Sequence, residues 1–238
     1  MTPEFFPKNI NVISTKRYLG EKPKVFSNGY DSFNIADHVA DDLERVFENR
    51  KKLVKNFNLP SEPRFLNQKH SDKCLSFDAI ECEGDAIYTN KKNEVCAILT
   101  ADCLPIFISD TLGQEVAVIH AGWKGLLRGV IEQTLKSFDS KNLVAHFGPA
   151  ISQDSFEVGE EVRDQYISKD YSFNSCFKTY SVKHYLDLYI AAKLVLNNFD
   201  IYRISGGNEC TFKQKDEYFS YRRDGINSGR MANLIWIN

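Results

Sequence analysis

Residues 94–125 read EVCAILTADCLPIFISDTLGQEVAVIHAGWKG, and this stretch decides the fold. Its apolar runs are dominated by Val and Ile, which is typical of buried strands rather than helices. We predict strands over 95–100, 104–109 and 115–120, with a tight turn at Gly113-Gln114 joining the last two. Cys103 follows the first strand and His120 ends the third, so the hairpin can bring these two side chains close together.

The composition is that of an ordinary globular protein, with 42% hydrophobic residues. Thirty basic and 32 acidic side chains leave a net charge of -2. This balance gives no indication of a nucleic-acid or membrane-surface partner, so small molecules are the expected ligands. Six cysteines without a CxxC pair predict free thiols in a reducing compartment.

No signal for export or membrane insertion is visible in the sequence. Pro3, Glu4 and Pro7 interrupt the first residues where a secretory peptide needs a continuous apolar segment. No run approaches the roughly 18 apolar residues of a membrane span. We therefore expect a soluble, cytoplasmic protein.

The remaining sequence predicts further helices and strands. Helical spacing of apolar residues predicts helices over 40–57, from 125 onward, over 157–166 and over 185–199. Strands are predicted over 9–18, 63–74, 84–90, 143–149 and 201–207, from 217 before a basic turn, and over 231–237. We interpret residues 20–30 and the polar segment 168–181 as loops. Without repeats or linkers, we predict one domain over residues 1–238.

Three strand-end residues could hold a metal ion. His70, Cys103 and His120 supply two imidazoles and one thiolate, a good three-ligand set for zinc that leaves one position open for a reactant. Their spacings of 33 and 17 residues match no local zinc motif. Spacing alone therefore leaves open the alternative of two histidines bonded to the backbone and a core cysteine.

The same positions also allow covalent catalysis. Cys103 and His120 could be a sulfur nucleophile and its base. Asp102 and Asp85 also lie at strand ends, where either could orient a histidine, transfer a proton or simply cap a turn. We include Asp102 with Cys103 and His120 among the predicted catalytic residues.

Basic residues near these positions predict an anion site. Arg222, Arg223 and Arg230 surround a glycine-containing turn, and guanidinium groups there can bind phosphate or carboxylate, although a solvated basic loop is the alternative. The helix that follows His120 begins near Lys124 and offers free backbone N–H groups. Gln68, in the polar turn with His70, completes the predicted substrate-binding set.

Six segments in this order resemble the motifs of the YfiH family: NQKHS, GDAIYT, TADCLPI, VIHAGWKG, GPAIS with EVGEEV, and FSYRRDG with GRM. This family, also labelled laccase-domain or multicopper polyphenol oxidoreductase proteins, is regarded as zinc-dependent purine nucleoside phosphorylases. The resemblance covers nearly the whole chain. ADC followed 17 residues later by HAGW is its most specific signal.

The resemblance implies a fold and a function. The fold is α+β, a mixed α/β arrangement of two mixed β-sheets covered by helices as an αββα-type sandwich, related to the catalytic domain of cytotoxic necrotizing factors. The family's metal ligands fall on His70, Cys103 and His120. The implied substrates are adenosine, inosine, guanosine and methylthioadenosine with phosphate, and adenosine deamination is an implied second activity.

Departures from the family pattern affect substrate preference more than metal binding. Lys124 stands where Arg is usual, Lys69 and Ser71 flank His70, and GDA replaces ADA. The rival function is a Cys103–His120 amidase that edits peptidoglycan precursors. Copper-dependent phenol oxidation ranks below both, because three ligands with one sulfur do not make a multicopper cluster. The oligomeric state stays open.

Overall fold

The strands predicted in residues 94–125 form the centre of the protein. The structure is a computed structural model that describes residues 3–20, 30 and 32–238. Its strands in chain order are β1 (Ile10–Ser14), β2 (Cys74–Ser76), β3 (Ala86–Thr89), β4 (Cys96–Thr100), β5 (Leu104–Asp110), β6 (Val116–Ala121), β7 (Leu143–Phe147), β8 (Glu157–Val158), β9 (Phe177–Tyr180), β10 (Lys183–Leu186), β11 (Ile204–Gly206) and β12 (Met231–Ile237).

Short helices separate many of these strands. The α-helices are α1 (Leu43–Asn56), α2 (Trp123–Arg128), α3 (Val130–Leu135), α4 (Glu160–Lys169), α5 (Leu188–Asn197) and α6 (Tyr221–Asp224). Short 3₁₀ helices occupy Gln153–Ser155, Tyr171–Cys176 and Gly225–Asn227. Among the residues described, no helix combines the length and apolar character that crossing a bilayer demands.

The strands form two principal sheets and a small third one. The larger sheet has the order β11-β7-β5-β6-β3-β2 and is parallel only at its two ends. The smaller sheet has the order β1-β12-β4 and is antiparallel throughout, whereas both sheets were expected to be mixed. Strands β8, β10 and β9 make the third sheet.

The principal sheets pack face to face and are covered by helices on both outer sides. Phe107 and Val118 of the larger sheet share a core with Ile98 of the smaller one. The opposite face of the larger sheet packs on α2 to α5, and the opposite face of the smaller sheet packs on α1 through Leu53. The predicted αββα-type α+β class is confirmed.

Burial on both faces explains why the central sequence is continuously apolar. In β5, Ile106 and Ile108 contact the helical layer while Phe107 between them contacts the other sheet. Successive side chains of a strand point to opposite faces, so a doubly covered strand needs apolar residues at every position. All seven residues of β5 are buried.

Several element boundaries differ from the predictions. The helix after His120 begins at Trp123 and breaks at Gly129, whose φ of +98° lies in the left-handed region. The helix predicted over 185–199 begins only at Leu188, because Lys183–Leu186 pairs as β10. The strand predicted over 63–74 is reduced to isolated bridges and β2.

The structure describes residues 217–220 and shows no strand there, although a strand was predicted from residue 217. Tyr218 and Phe219 are buried beside Met231, and Phe219 donates its backbone N–H to the Met231 sulfur rather than to a strand. Ser220 then caps α6 by accepting the N–H of Arg223. Within the loop predicted over 168–181 the structure has the end of α4, a 3₁₀ helix and β9. Residues 21–29 of the loop predicted over 20–30 lie outside the described residues.

Candidate metal centre and its cavity

His70, Cys103 and His120 come together at one end of the larger sheet. Their ligand atoms all lie within 4.8 Å of one another. The Cys103 sulfur is 3.7 Å from Nε2 of His70, and the two imidazole centroids are 4.7 Å apart. The β5–β6 hairpin is the cause, because its register places His120 opposite Pro105, two residues from Cys103.

The chemistry and spacing of these three side chains fit a zinc ion. Zinc–sulfur and zinc–nitrogen bonds of about 2.3 and 2.0 Å, at a tetrahedral angle, put the two ligand atoms about 3.5 Å apart. The distance of 3.7 Å between Cys103 and His70 agrees with that value. Across residues 3–20, 30 and 32–238, no other group of three or more His, Cys, Asp or Glu side chains is placed to share an ion.

A buried carboxylate, Asp85, supports both histidines. Its side chain is fully inaccessible to solvent. One oxygen, Oδ1, lies 2.8 Å from Nδ1 of His120 and accepts the backbone N–H of His70 at 3.0 Å. The other oxygen accepts the N–H groups of Lys69 and Ser71 and the Ser71 hydroxyl. Nε2 of His120 is thereby left for the metal.

The groups of the centre perturb one another's proton affinities. Burial by itself would raise the pKa of the Cys103 thiol, but His120 and His70 beside it hold that pKa below its ordinary value. Burial opposes a charge on His120 as well, yet Cys103 and Asp85 raise its pKa. Burial also acts against the charge on Asp85, whose hydrogen bonds from His120 and Ser71 keep its pKa well below the usual range. Cys103 is therefore readily converted to the thiolate that metals and electrophiles require.

Gly122 leaves room for the three side chains. A Cβ atom at this position would lie 2.8 Å from Cδ2 of His70 and 3.0 Å from the Cys103 sulfur. Real Cβ atoms do not approach other atoms so closely. The glycine of the HAGW segment is therefore required by the close approach of the ligands, and its φ of −72° shows that backbone conformation is not the reason.

The three residues open onto a cavity of about 750 Å³. The charged side chains that line it, apart from histidines, are Lys69, Asp102, Arg222 and Arg230. Both carboxylate oxygens of Asp102 are occupied, one by the Thr211 hydroxyl and the other by the backbone N–H of Arg222, each at 2.6 Å. Three cationic side chains against this one carboxylate give the cavity lining a net positive charge.

The structure separates the predicted basic residues. Arg222 lines the cavity with its guanidinium 5.2 Å from the Phe156 ring, and this guanidinium makes no hydrogen bond or ion pair with other described residues. Arg230 also lines the cavity, although one of its nitrogens donates to the Ser228 and Gly229 carbonyls.

Arg223, Lys124 and Gln68 differ from what was expected of substrate-binding residues. The Arg223 guanidinium lies outside the cavity lining and is occupied by three backbone carbonyls and Asp224. Lys124 is exposed, lies outside the lining, and has its ammonium 5.4 Å from the Trp123 ring. Gln68 does line the cavity, but its amide pairs with the backbone N–H and carbonyl of Leu99.

Sequence reasoning missed several contributors to this site. Lys69 lines the cavity beside His70, and Arg128 donates to the His70 carbonyl at 2.8 Å. Asp85 was predicted, like Asp102, to orient a histidine, transfer a proton or cap a turn, and it was not included in the predicted site. The signal for it was available, because in an antiparallel pair the start of the strand at 84–90 lies opposite the end of the strand that carries His120.

Comparisons with known proteins identify relatives of this chain over nearly its whole length. Residues 12–238 match the family model described as multi-copper polyphenol oxidoreductase laccase. The chain is 44% identical to the purine nucleoside phosphorylase of Haemophilus influenzae and 39% identical to the purine nucleoside phosphorylase YfiH of Escherichia coli K12. Each alignment covers 97% of this chain and 95% of the relative.

Solved structures show the same architecture. A Neisseria meningitidis protein superposes with a TM-score of 0.91 at 36% identity, covering 100% of this chain and 98% of its own. The hypothetical protein YfiH of Bacillus licheniformis gives a TM-score of 0.85 at 25% identity, covering 96% and 93%. Both the family description and the His-Cys-His group indicate a metal. The resemblance stated from the motifs is confirmed, and the chain belongs to the multi-copper polyphenol oxidoreductase laccase family, which includes the YfiH proteins.

Proposed function

We propose that this protein is a zinc-dependent purine nucleoside phosphorylase. The observation that carries the proposal is that His70, Cys103 and His120 face a cavity whose lining has a net positive charge. Relatives at 39–44% identity are named purine nucleoside phosphorylase, and this name supports phosphorolysis of purine nucleosides as the reaction in that cavity. In phosphorolysis the bond from ribose C1′ to the purine nitrogen breaks, phosphate oxygen bonds to C1′, and the purine leaves with a proton.

We assign phosphate binding to the basic residues of the cavity. Arg222 has a guanidinium free for bidentate contacts to a phosphate, and Lys69 and Arg230 add positive charge from other parts of the wall. Trp123, Phe156 and Tyr221 offer aromatic rings to the purine. A proton-transfer role for Asp102 stays a prediction. Its two carboxylate oxygens accept hydrogen bonds from the Thr211 hydroxyl and the Arg222 backbone N–H, contacts that hold the residue next to Cys103 in place.

Zinc is the proposed metal, and copper is the alternative. His70, Cys103 and His120 would hold the ion, which when bound supplies a Lewis acid. A laccase needs several copper ions, while the described residues place one candidate group. Met231 is no axial ligand, because its sulfur accepts the N–H of Phe219 inside the core.

The substrates we propose are adenosine, inosine, guanosine and methylthioadenosine. The test is to incubate metal-analysed protein with each nucleoside, with and without phosphate, and to separate the products by chromatography. We expect free base and the sugar 1-phosphate only with phosphate, and loss of both after chelation or in His70→Ala. The sugar product is ribose 1-phosphate from adenosine, inosine and guanosine, and methylthioribose 1-phosphate from methylthioadenosine. Inosine formed from adenosine without phosphate would establish deamination as the second activity. Absence of base release from zinc-loaded protein would refute the phosphorylase.

A cysteine amidase is the second candidate function. Asp85, His120 and Cys103 are arranged as an orienting acid, a base and a nucleophile, and the pKa of the Cys103 thiol lies below its ordinary value. The substrates would be amides such as peptidoglycan precursors. This function requires amide hydrolysis that survives zinc removal and is abolished by alkylation of Cys103, whereas the phosphorylase loses activity when zinc is removed.

A further inference from the structure

We propose that Asp85 is a positioning residue that sets both histidine ligands at once, by holding the loop of His70 and selecting the ring tautomer of His120. The inference rests on the proposed metal site. Asp85 itself faces neither the cavity nor a reactant, because its side chain has no exposed surface and it is not among the cavity-lining residues. Its effect on chemistry must therefore pass through the two histidines.

The first effect is on the backbone that carries His70. This residue has a φ of +56°, a left-handed conformation that is uncommon for residues other than glycine. Three consecutive N–H groups, those of Lys69, His70 and Ser71, converge on the Asp85 carboxylate at 3.1, 3.0 and 2.6 Å. The Ser71 hydroxyl donates to the same carboxylate at 2.6 Å. These four donors hold the unusual turn that directs His70 toward Cys103.

The second effect is on the His120 ring. Oδ1 of Asp85 lies 2.8 Å from Nδ1 of His120, and a carboxylate there can only accept a hydrogen bond. Nδ1 therefore carries a proton, and in the neutral ring Nε2 has the lone pair that can bind a metal. The backbone reinforces this arrangement, because His120 also donates its N–H to the Asp85 carbonyl at 2.7 Å.

Asp85→Asn separates these effects from ordinary stabilisation. An amide has one acceptor oxygen where the carboxylate has two. If the amide oxygen faces His120, the NH₂ group meets the donors of Lys69 and Ser71 and the loop of His70 is released. If the amide is reversed, the NH₂ group donates to Nδ1 of His120, and the proton moves to the nitrogen that should bind metal. Either orientation loses one histidine ligand.

A second buried carboxylate provides the matched control. Asp110 is 1% exposed and accepts three backbone N–H groups, from Leu112, Gln114 and Glu115, in the turn between β5 and β6. Asp110→Asn creates a comparable mismatch of donors but touches no histidine. Loss of stability is expected in both variants, and loss of metal affinity only in Asp85→Asn.

The experiment measures zinc affinity by competition with a chromophoric chelator, and the melting temperature with and without zinc. We expect Asp85→Asn to weaken zinc binding by about 10- to 100-fold, the range found when partners of metal-bound histidines are removed. At one fixed zinc concentration, its melting temperature should rise less than that of the wild type, while that of Asp110→Asn should rise by the wild-type amount. Zinc affinity of Asp85→Asn within about threefold of wild type, or an equal loss in Asp110→Asn, overturns the proposal.

A measurement on the wild type tests the proposal even if Asp85→Asn fails to fold. Two-bond ¹H–¹⁵N spectra of the zinc-loaded protein should show His120 with Nδ1 protonated and Nε2 bound to metal. Metal on Nδ1 overturns the proposal. Zinc affinity, melting temperature and the two-bond spectra are all measured without substrate. A protein that binds zinc as described but cleaves no nucleoside would therefore refute the phosphorylase and leave the proposed role of Asp85 intact.

Discussion

Replacing Gly122 by alanine tests the geometry of the metal centre most directly. The new Cβ would lie 2.8 Å from Cδ2 of His70, 3.3 Å from its Nε2 and 3.0 Å from the Cys103 sulfur. Ordinary contacts begin near 3.4 Å, so the two ligands must separate from this atom by about half an ångström. Metal sites tolerate errors in ligand distance of only about 0.2 Å. The variant should therefore hold zinc with one ligand displaced.

The expected cost is a drop in zinc affinity of about 10- to 100-fold, equivalent to about 1.4–2.8 kcal/mol of binding free energy. Phosphorolysis at subsaturating zinc should fall in parallel. The assay is chelator competition at fixed pH. The backbone itself should accept alanine, because φ at Gly122 is −72°.

Gly159→Ala is the control for the helix cap. Gly159 precedes α4 with φ −73° and ψ 162°, nearly the values of −72° and 165° at Gly122 before α2. The three atoms nearest to its Cβ would all belong to the carboxylate group of Glu161, an exposed side chain that can move away. Both variants share the cap penalty of about 1 kcal/mol. Zinc affinity of Gly122→Ala equal to that of Gly159→Ala would show that the ligands are not packed as described.

Three further predictions use other residues. Arg222→Ala should raise KM for phosphate about tenfold with little change in the free energy of unfolding. Arg223→Ala removes a guanidinium that is bonded to three backbone carbonyls, and it should lower the free energy of unfolding by about 3 kcal/mol in urea titrations. The opposite pattern would show that Arg223 binds phosphate and Arg222 is structural. Zinc at about 100 times its Kd should stabilise the wild type by about 2.7 kcal/mol, and Cys103→Ser should lose most of this in thermal melts. Burial lowers the pKa of His146 from 6.5 to about 4 in the folded protein. Between these two pH values the unfolded chain binds a proton at His146 and the folded chain does not. The free energy of unfolding should therefore fall by about 1.4 kcal/mol per pH unit as pH drops from 6.5 towards 4. His146→Gln should flatten that part of the profile, and an unchanged slope would contradict the assignment.

The central hairpin was predictable because its sequence carries two independent signals. Continuous apolar runs require strands covered on both faces, and Gly113, with a φ of +72°, supplies the turn. Boundaries that depend on distant partners were not predictable. Leu188 begins a helix because the preceding residues pair with β9, a strand of mostly exposed residues that has no apolar pattern of its own. The assignment of one domain to residues 1–238 stays a prediction.

The candidate site was predictable at its centre and less so at its edge. Strand ends and family motifs pointed to the three residues that the structure brings together. Which arginine faces the cavity could not be read from the sequence. Consecutive helical residues point about 100° apart, so the rotation of α6 alone decides between Arg222 and Arg223. The pairing of Gln68 with Leu99 depends on a contact between segments 31 residues apart.

The position of β12 between β1 and β4 has a consequence for how the protein folds. The hydroxyl of Ser14 donates to the side chain of Asn233, 219 residues away, and Asn233 in turn donates to Thr100. The smaller sheet thus has a very high contact order, and loop-closure entropy must be overcome before its strands gain any pairing energy. Refolding from denaturant should be slow, and the wall that contributes Arg230 to the cavity should be among the last parts to form.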